Sequence, residues 1–146
     1  MGAAFADMGS AQRAIGALAN GGRSGGAWTL PQVLNHLAQS VEYSMHGFPQ
    51  PKPALFRATV GKAAFAVFSA RGRMSHPLSA AIPGAPSLTA ADALHPAINR
   101  LMQALSDFEA WQAPLHPHFA YGALDKPAYR RAHLMHIADH WSEITS

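Results

Sequence analysis

The chain has 146 residues, 49% of them hydrophobic and 13% charged, a composition that excludes a disordered tail and suits one packed domain over residues 1–146. With no cysteine, disulfides and thiolate metal sites are excluded, and any metal must be taken by histidine or carboxylate. The formal charge of +3 comes from scattered basic residues, with only Arg71/Arg73 and Arg130/Arg131 close together, so nucleic acid ranks last among partner classes; nine histidines against eight acids direct the search for chemistry elsewhere.

Residues 1–20 carry Asp7 and Arg13 and only a short alanine-rich apolar stretch, so no targeting segment is expected and the expected location is cytoplasmic. A first helix, Phe5 to Ala19, places Phe5, Met8, Ile15 and Leu18 on a loose common face and stops at Asn20-Gly21. After the glycine-rich break NGGRSGG at 20–26, Thr29 with Gln32 forms a capping box and Pro31 sits in the first turn of a second helix. Leu30, Val33, Leu34, Leu37, Val41 and Met45 make its buried stripe.

The most apolar window, Ala54 to Ala70, is interrupted by Arg57 and Lys62, so it predicts a packing helix and no membrane span. Its helical spacing runs through Val60, Ala64, Val67 and Phe68. A second break, SHPLSAAIPGAP at 75–86, precedes a third bundle helix in which Leu94, Ile98, Leu101, Leu105 and Phe108 alternate steps of four and three. Thr89 with Asp92 suggests its cap, whereas Pro96 argues for a later start or a kink. The fourth helix opens at Asp125, with Pro127 in its first turn, and runs to about Ile144. Nothing alternates long enough to predict a strand.

On that last helix Tyr129, His133, His136, His140 and Ile144 fall in one quadrant, so the histidines point where the core is. Buried imidazoles cost free energy unless their nitrogens find partners, and His136 and His140, one turn apart, can converge on one ion. A third ligand must come from a facing helix, and His36, mid-helix beside Val33 and Ser40, is the best donor. Histidines 46, 76, 95, 116 and 118 fall at helix ends or in proline-rich loops and read as solvated or turn residues. His133 reads as a substrate contact or core residue ahead of a further ligand, and Glu143 as an imidazole-orienting group, a base or a solvated carboxylate. Tyr43, Phe119, Tyr121 and Tyr129 are core aromatics or the mouth of a pocket. Arg71, Arg73, Arg130 and Arg131 form an ordinary charged surface or an anion-holding group.

The blocks WTLPQVLNHLAQSVEYSMHGFP and PHFAYGALDKPAYRRAHLMHIADHW, with the HPL and IPGAP segments between them, resemble the DinB/YfiT-like metalloenzyme superfamily over Trp28 to Trp141. That resemblance implies an all-α, up-down-down-up four-helix bundle with a short extra helix in the crossover between the second and third helices. It also implies a three-histidine divalent metal site: His36 in NHLAQS, and His136 and His140 in HIADH. Zinc and nickel suit such ligands equally. An open metal position would activate a water or thiol, so the expectation is a metal-dependent transferase or hydrolase-like enzyme acting on a small molecule, with a low-molecular-weight thiol implied by kinship alone. The alternative is a non-catalytic, stress-related metal-binding bundle; a homodimer is compatible with either.

Overall fold

In the computed structural model, which describes residues 4–145, Asp7 caps the first helix, α1 (Met8–Ala17), by accepting a hydrogen bond from Ser10 N at 2.8 Å. A short 3-10 turn, Leu18–Asn20, follows, and Gly21 takes a positive φ to leave it. Helix α2 (Leu30–His46) begins at the anticipated box: Thr29 Oγ1 accepts from Gln32 N, and Gln32 Oε1 accepts from Thr29 N. Helix α5 (Leu94–Ala110) starts beyond Thr89–Asp92, which form a turn instead, so Pro96 falls in its first turn, where a missing N–H costs nothing. Asp125 caps α6 (Lys126–Trp141) by accepting from Ala128 N.

The apolar stripes of α1, α2, α5 and α6 close around one core, with α2 and α5 packed most extensively. Ile15, Leu34, Leu37, Leu101, Leu105, Phe108 and Ile137 are almost wholly buried, each contributing about 1.5–3 kcal/mol of transfer free energy. The fold is mostly helical, with one unanticipated exception. Helix α6 stops at Trp141, not Ile144, because Ile144–Thr145 (β2) pairs antiparallel with Arg23–Ser24 (β1). Phe5 lies outside α1 and meets the Trp141 ring edge-on at 5.5 Å. Among the described residues no helix is long and apolar enough to cross a membrane.

The crossover helix departs from its expected stripe. It runs as α3 (Ala54–Phe56), a π-helical turn (Arg57–Gly61) and α4 (Lys62–Arg71). The wide turn rotates everything after it, so Val60 and Val67 are exposed, while Gly61 and Phe65 face the protein and Phe65 packs with Met74, Tyr121 and Met135. Gly61 lies against the chain at Ala120: a Cβ there would stand 1.7 Å from the Ala120 carbonyl oxygen, a backbone atom that cannot swing aside. Gly61→Ala is therefore expected to destabilise by at least the upper end of the overpacking range, about 3 kcal/mol, read as a lowered urea midpoint; an unchanged midpoint would contradict this contact.

Candidate metal centre

The side chains of His36 on α2 and of His136 and His140 on α6 converge. His36 occupies the side of α2 that turns from α5 toward α6, and Trp28 covers its ring at 5.0 Å. Its Nε2 lies 3.1 Å from His136 Nε2. The reading of His76 as a turn histidine is overturned: its Nε2 stands 3.1 Å from His140 Nε2, and one ligand nitrogen from each of His36, His76, His136 and His140 lies within 4.8 Å of all the others.

His76 reaches the cluster on the segment between α4 and α5, residues 72–93, which is long for a connection without regular structure, as functional loops often are. Met74 and Ile82 are buried, and the polar face of α2 ties the segment down. Gln39 Nε2 donates to Pro86 O, Gln32 Nε2 to Leu88 O and Asn35 Nδ2 to Asp92 Oδ2. The other ring nitrogen of His76, Nδ1, is 2.6 Å from Asp139 Oδ2, with the N–H off the direct line between them. Asp139 lies one residue before His140 on the same helix, so α6 both carries two of the four imidazoles and sets a carboxylate beside the loop's, the pairing by which a carboxylate can fix a histidine that binds metal.

Four imidazoles gathered without an ion are poorly satisfied. A neutral imidazole has one donor and one acceptor, and close Nε2 pairs use at most one hydrogen bond between two rings; Nδ1 of His36 and of His140 is buried with no partner. Burial, reinforced by neighbouring histidines, pushes His36 down to about 4 and His140 down to about 2, and holds His136 well below its ordinary value. All three are thus neutral near pH 7, the form that ligates. Nitrogens ~2.0–2.1 Å from a tetrahedral ion stand ~3.3–3.4 Å apart, so the observed 3.1 Å pairs are close to ligand spacing. The donor set fits a divalent ion of the zinc or nickel kind.

A family model described as a protein of unknown function, DUF1569, matches residues 1–146. The chain belongs to the DUF1569 family. No curated protein and no solved structure matches it.

In this DUF1569 protein the remaining sequence candidates fall away from the cluster. His133 is a core residue, buried between Tyr129 and Phe108, with Nε2 3.1 Å from Ser44 Oγ, although its ring also reaches the cavity described below. The Glu143 carboxylate lies against Gly26, filling the space a Cβ there would need, and orients no imidazole; Asp139 has that position. Tyr129 is core, its hydroxyl donating to His116 O, and Tyr43 packs at a tilt against Phe48, whereas Phe119 and Tyr121 do line the cavity. Arg130 pairs with Glu109, Arg71 donates to Ser75, and none of the four arginines reaches the cavity.

That cavity, of about 320 Å³, is walled by His36, His76 and His136 on one side and by Met74, Ile82 and Tyr121 elsewhere. It also takes in His118, a turn residue as expected, but buried and not solvated. Two signals were present for the place of His76 in the cluster: the HPL block that contains it, and an aspartate between the two α6 histidines of the HxxxH pair. Asp139→Asn is expected to leave the fold intact and weaken metal binding by about 10–100-fold, measured by competition with a chromophoric chelator. Unchanged affinity would remove Asp139 from the site.

Proposed function

We propose that His36, His76, His136 and His140 hold a divalent metal ion, zinc or nickel, and that the protein is a metal-dependent enzyme acting on a small molecule in the adjoining cavity. The observation that carries this is the coincidence of the two features: four converging imidazoles, three of which form one wall of the cavity. The DinB/YfiT-like resemblance supports the same reading and the four-helix-bundle type, with α1, α2, α5 and α6 as its helices and residues 54–71 as the extra helix of the crossover. It names three of the ligands; His76 is an addition.

When bound, such an ion supplies Lewis acidity, lowering the pKa of a coordinated water or thiol so that it serves as a nucleophile near neutral pH. The chain's own residues do the rest. Trp28 and the α2–α6 packing hold His36 and His136 in place, and Asp139 turns His76 toward the cluster. Met74, Ile82 and Phe119 give the cavity an apolar lining away from the imidazoles.

A second reading has its own observation. Four imidazoles can fill a tetrahedral shell, and a closed shell suits a structural or storage role without turnover. Elemental analysis of protein purified without a histidine tag, followed by X-ray absorption spectroscopy, separates the two. A bound ion with four nitrogens and an additional light ligand supports the enzyme; four nitrogens alone support the non-catalytic protein. Absence of stoichiometric metal after incubation with zinc or nickel overturns both.

A further inference from the structure

One polar atom on the cavity wall has no role in holding the fold. His118 begins the tight turn 118–122, closed by His118 N donating to Gly122 O and Gly122 N to His118 O, with Gly122 at a φ of 77° that favours glycine. Within this turn Nδ1 of His118 accepts from Ala120 N and from Tyr121 N, both at 3.1 Å. A neutral imidazole whose Nδ1 is an acceptor carries its proton on Nε2. The ring is neutral: burial first, then the charges of His133 and Lys62, push it down to about 3. It is also packed on both neighbours in the turn, stacked 4.2 Å from Tyr121 and 4.7 Å from Phe119.

Nε2 has no hydrogen-bond partner among the described residues, and unlike Nδ1 of His36 and His140 it is not sealed from solvent. The ring that carries it lines the cavity. The turn therefore presents a fixed N–H donor on an otherwise apolar wall. The Lys52 backbone N–H donates to Phe119 O, its ammonium lies over the Phe56 ring at 5.7 Å, and no aspartate or glutamate lines the space. A free N–H donor on a lining without carboxylates favours an anionic acceptor and disfavours a cation.

We propose that the cavity binds a small, largely apolar carboxylate, one oxygen of which accepts a hydrogen bond from Nε2–H of His118 while the apolar body lies against Met74, Ile82 and Tyr121. This deepens the reading above, since it rests on the cavity beside the histidine cluster being the substrate site. At about 320 Å³ the space is at the small end of ligand pockets, suited to a molecule of benzoate size.

Benzoate and its neutral analogue benzamide are the probes, titrated calorimetrically into the purified protein with its metal as isolated. His118→Asn keeps an oxygen near the Nδ1 position for the two backbone N–H groups and removes the donor; His118→Gln places an N–H near the Nε2 position. Benzoate is expected to bind wild type more tightly than benzamide does. His118→Asn should weaken benzoate about tenfold and His118→Gln should recover part of the loss, with metal content equal in all three proteins. In wild type alone, the Nε2–H proton resonance of His118 should move on adding benzoate. The tenfold ratio is expected in chelator-stripped protein too, so failure of the metal reading leaves this test standing. Benzoate binding that is absent, that is matched by benzamide, or that is equal in wild type and His118→Asn overturns the proposal, as does a stationary Nε2–H resonance.

Discussion

Protein carrying His136→Ala or His140→Ala should emerge folded and without its metal. Each change removes one member of one close nitrogen pair and leaves its partner, His36 for His136 and His76 for His140, facing a gap. The fold should hold because the core is apolar: Leu34, Leu37, Leu101, Leu105 and Phe108 are buried independently of the imidazoles. Deleting His140 even removes a buried, unpartnered Nδ1, which offsets part of the cost of the space it leaves. The loss of metal affinity should exceed the about 10–100-fold expected of an orienting residue such as Asp139. Elemental analysis beside circular dichroism reads both halves, and wild-type metal content in either variant would dissolve the centre as drawn.

Acid should unfold the protein early, through histidines that the cluster does not use. His118 and His133 are buried, and burial pushes each down to about 3 from an ordinary value of 6.5. Between those values the unfolded chain takes up a proton at each position that the folded chain refuses, so stability falls as pH falls across that window and is fully present above it. Each group contributes about 1.4 kcal/mol per pH unit, or about 4 kcal/mol for the pair between pH 6.5 and pH 5, a large part of an ordinary domain's stability. Urea midpoints at pH 7.5, 6.5 and 5 give the slope. His133→Gln can still donate to Ser44 Oγ and has nothing to titrate, so its slope should be shallower by about 1.4 kcal/mol per pH unit. An identical slope in wild type and variant would show that His133 takes up its proton without unfolding.

Local chemistry made much of the helical frame legible. The Thr29/Gln32 box and the Asp125 cap fall where they were read, and every residue of the α2 stripe is buried. The convergence of His36, His136 and His140 was legible because two share a helix face and the third lies mid-helix beside the apolar stripe of α2. His76 was not, because nothing periodic governs residues 72–93; its place is set by α2 side chains reaching across the sequence to Pro86, Leu88 and Asp92. The stripe of the crossover helix was misjudged for a related reason. A π turn leaves no mark in hydrophobic spacing, and Gly61 is there for its fit against Ala120, a partner distant in the chain.

The strand pair near the chain ends bears on His140. A helix opens most readily at its final turn, and His140 stands one residue from the last residue of α6. Here that turn is clasped from outside: Gly25 N donates to Glu143 O at 2.7 Å, Arg23–Ser24 pairs with Ile144–Thr145, and Ser142 Oγ donates to Asp139 O. Fraying of α6 is thereby coupled to detachment of the segment leading into α2, the helix that carries His36. The two ligand-bearing helices are laced together at one end, so the terminal imidazole keeps its register with its neighbours for as long as that lacing holds.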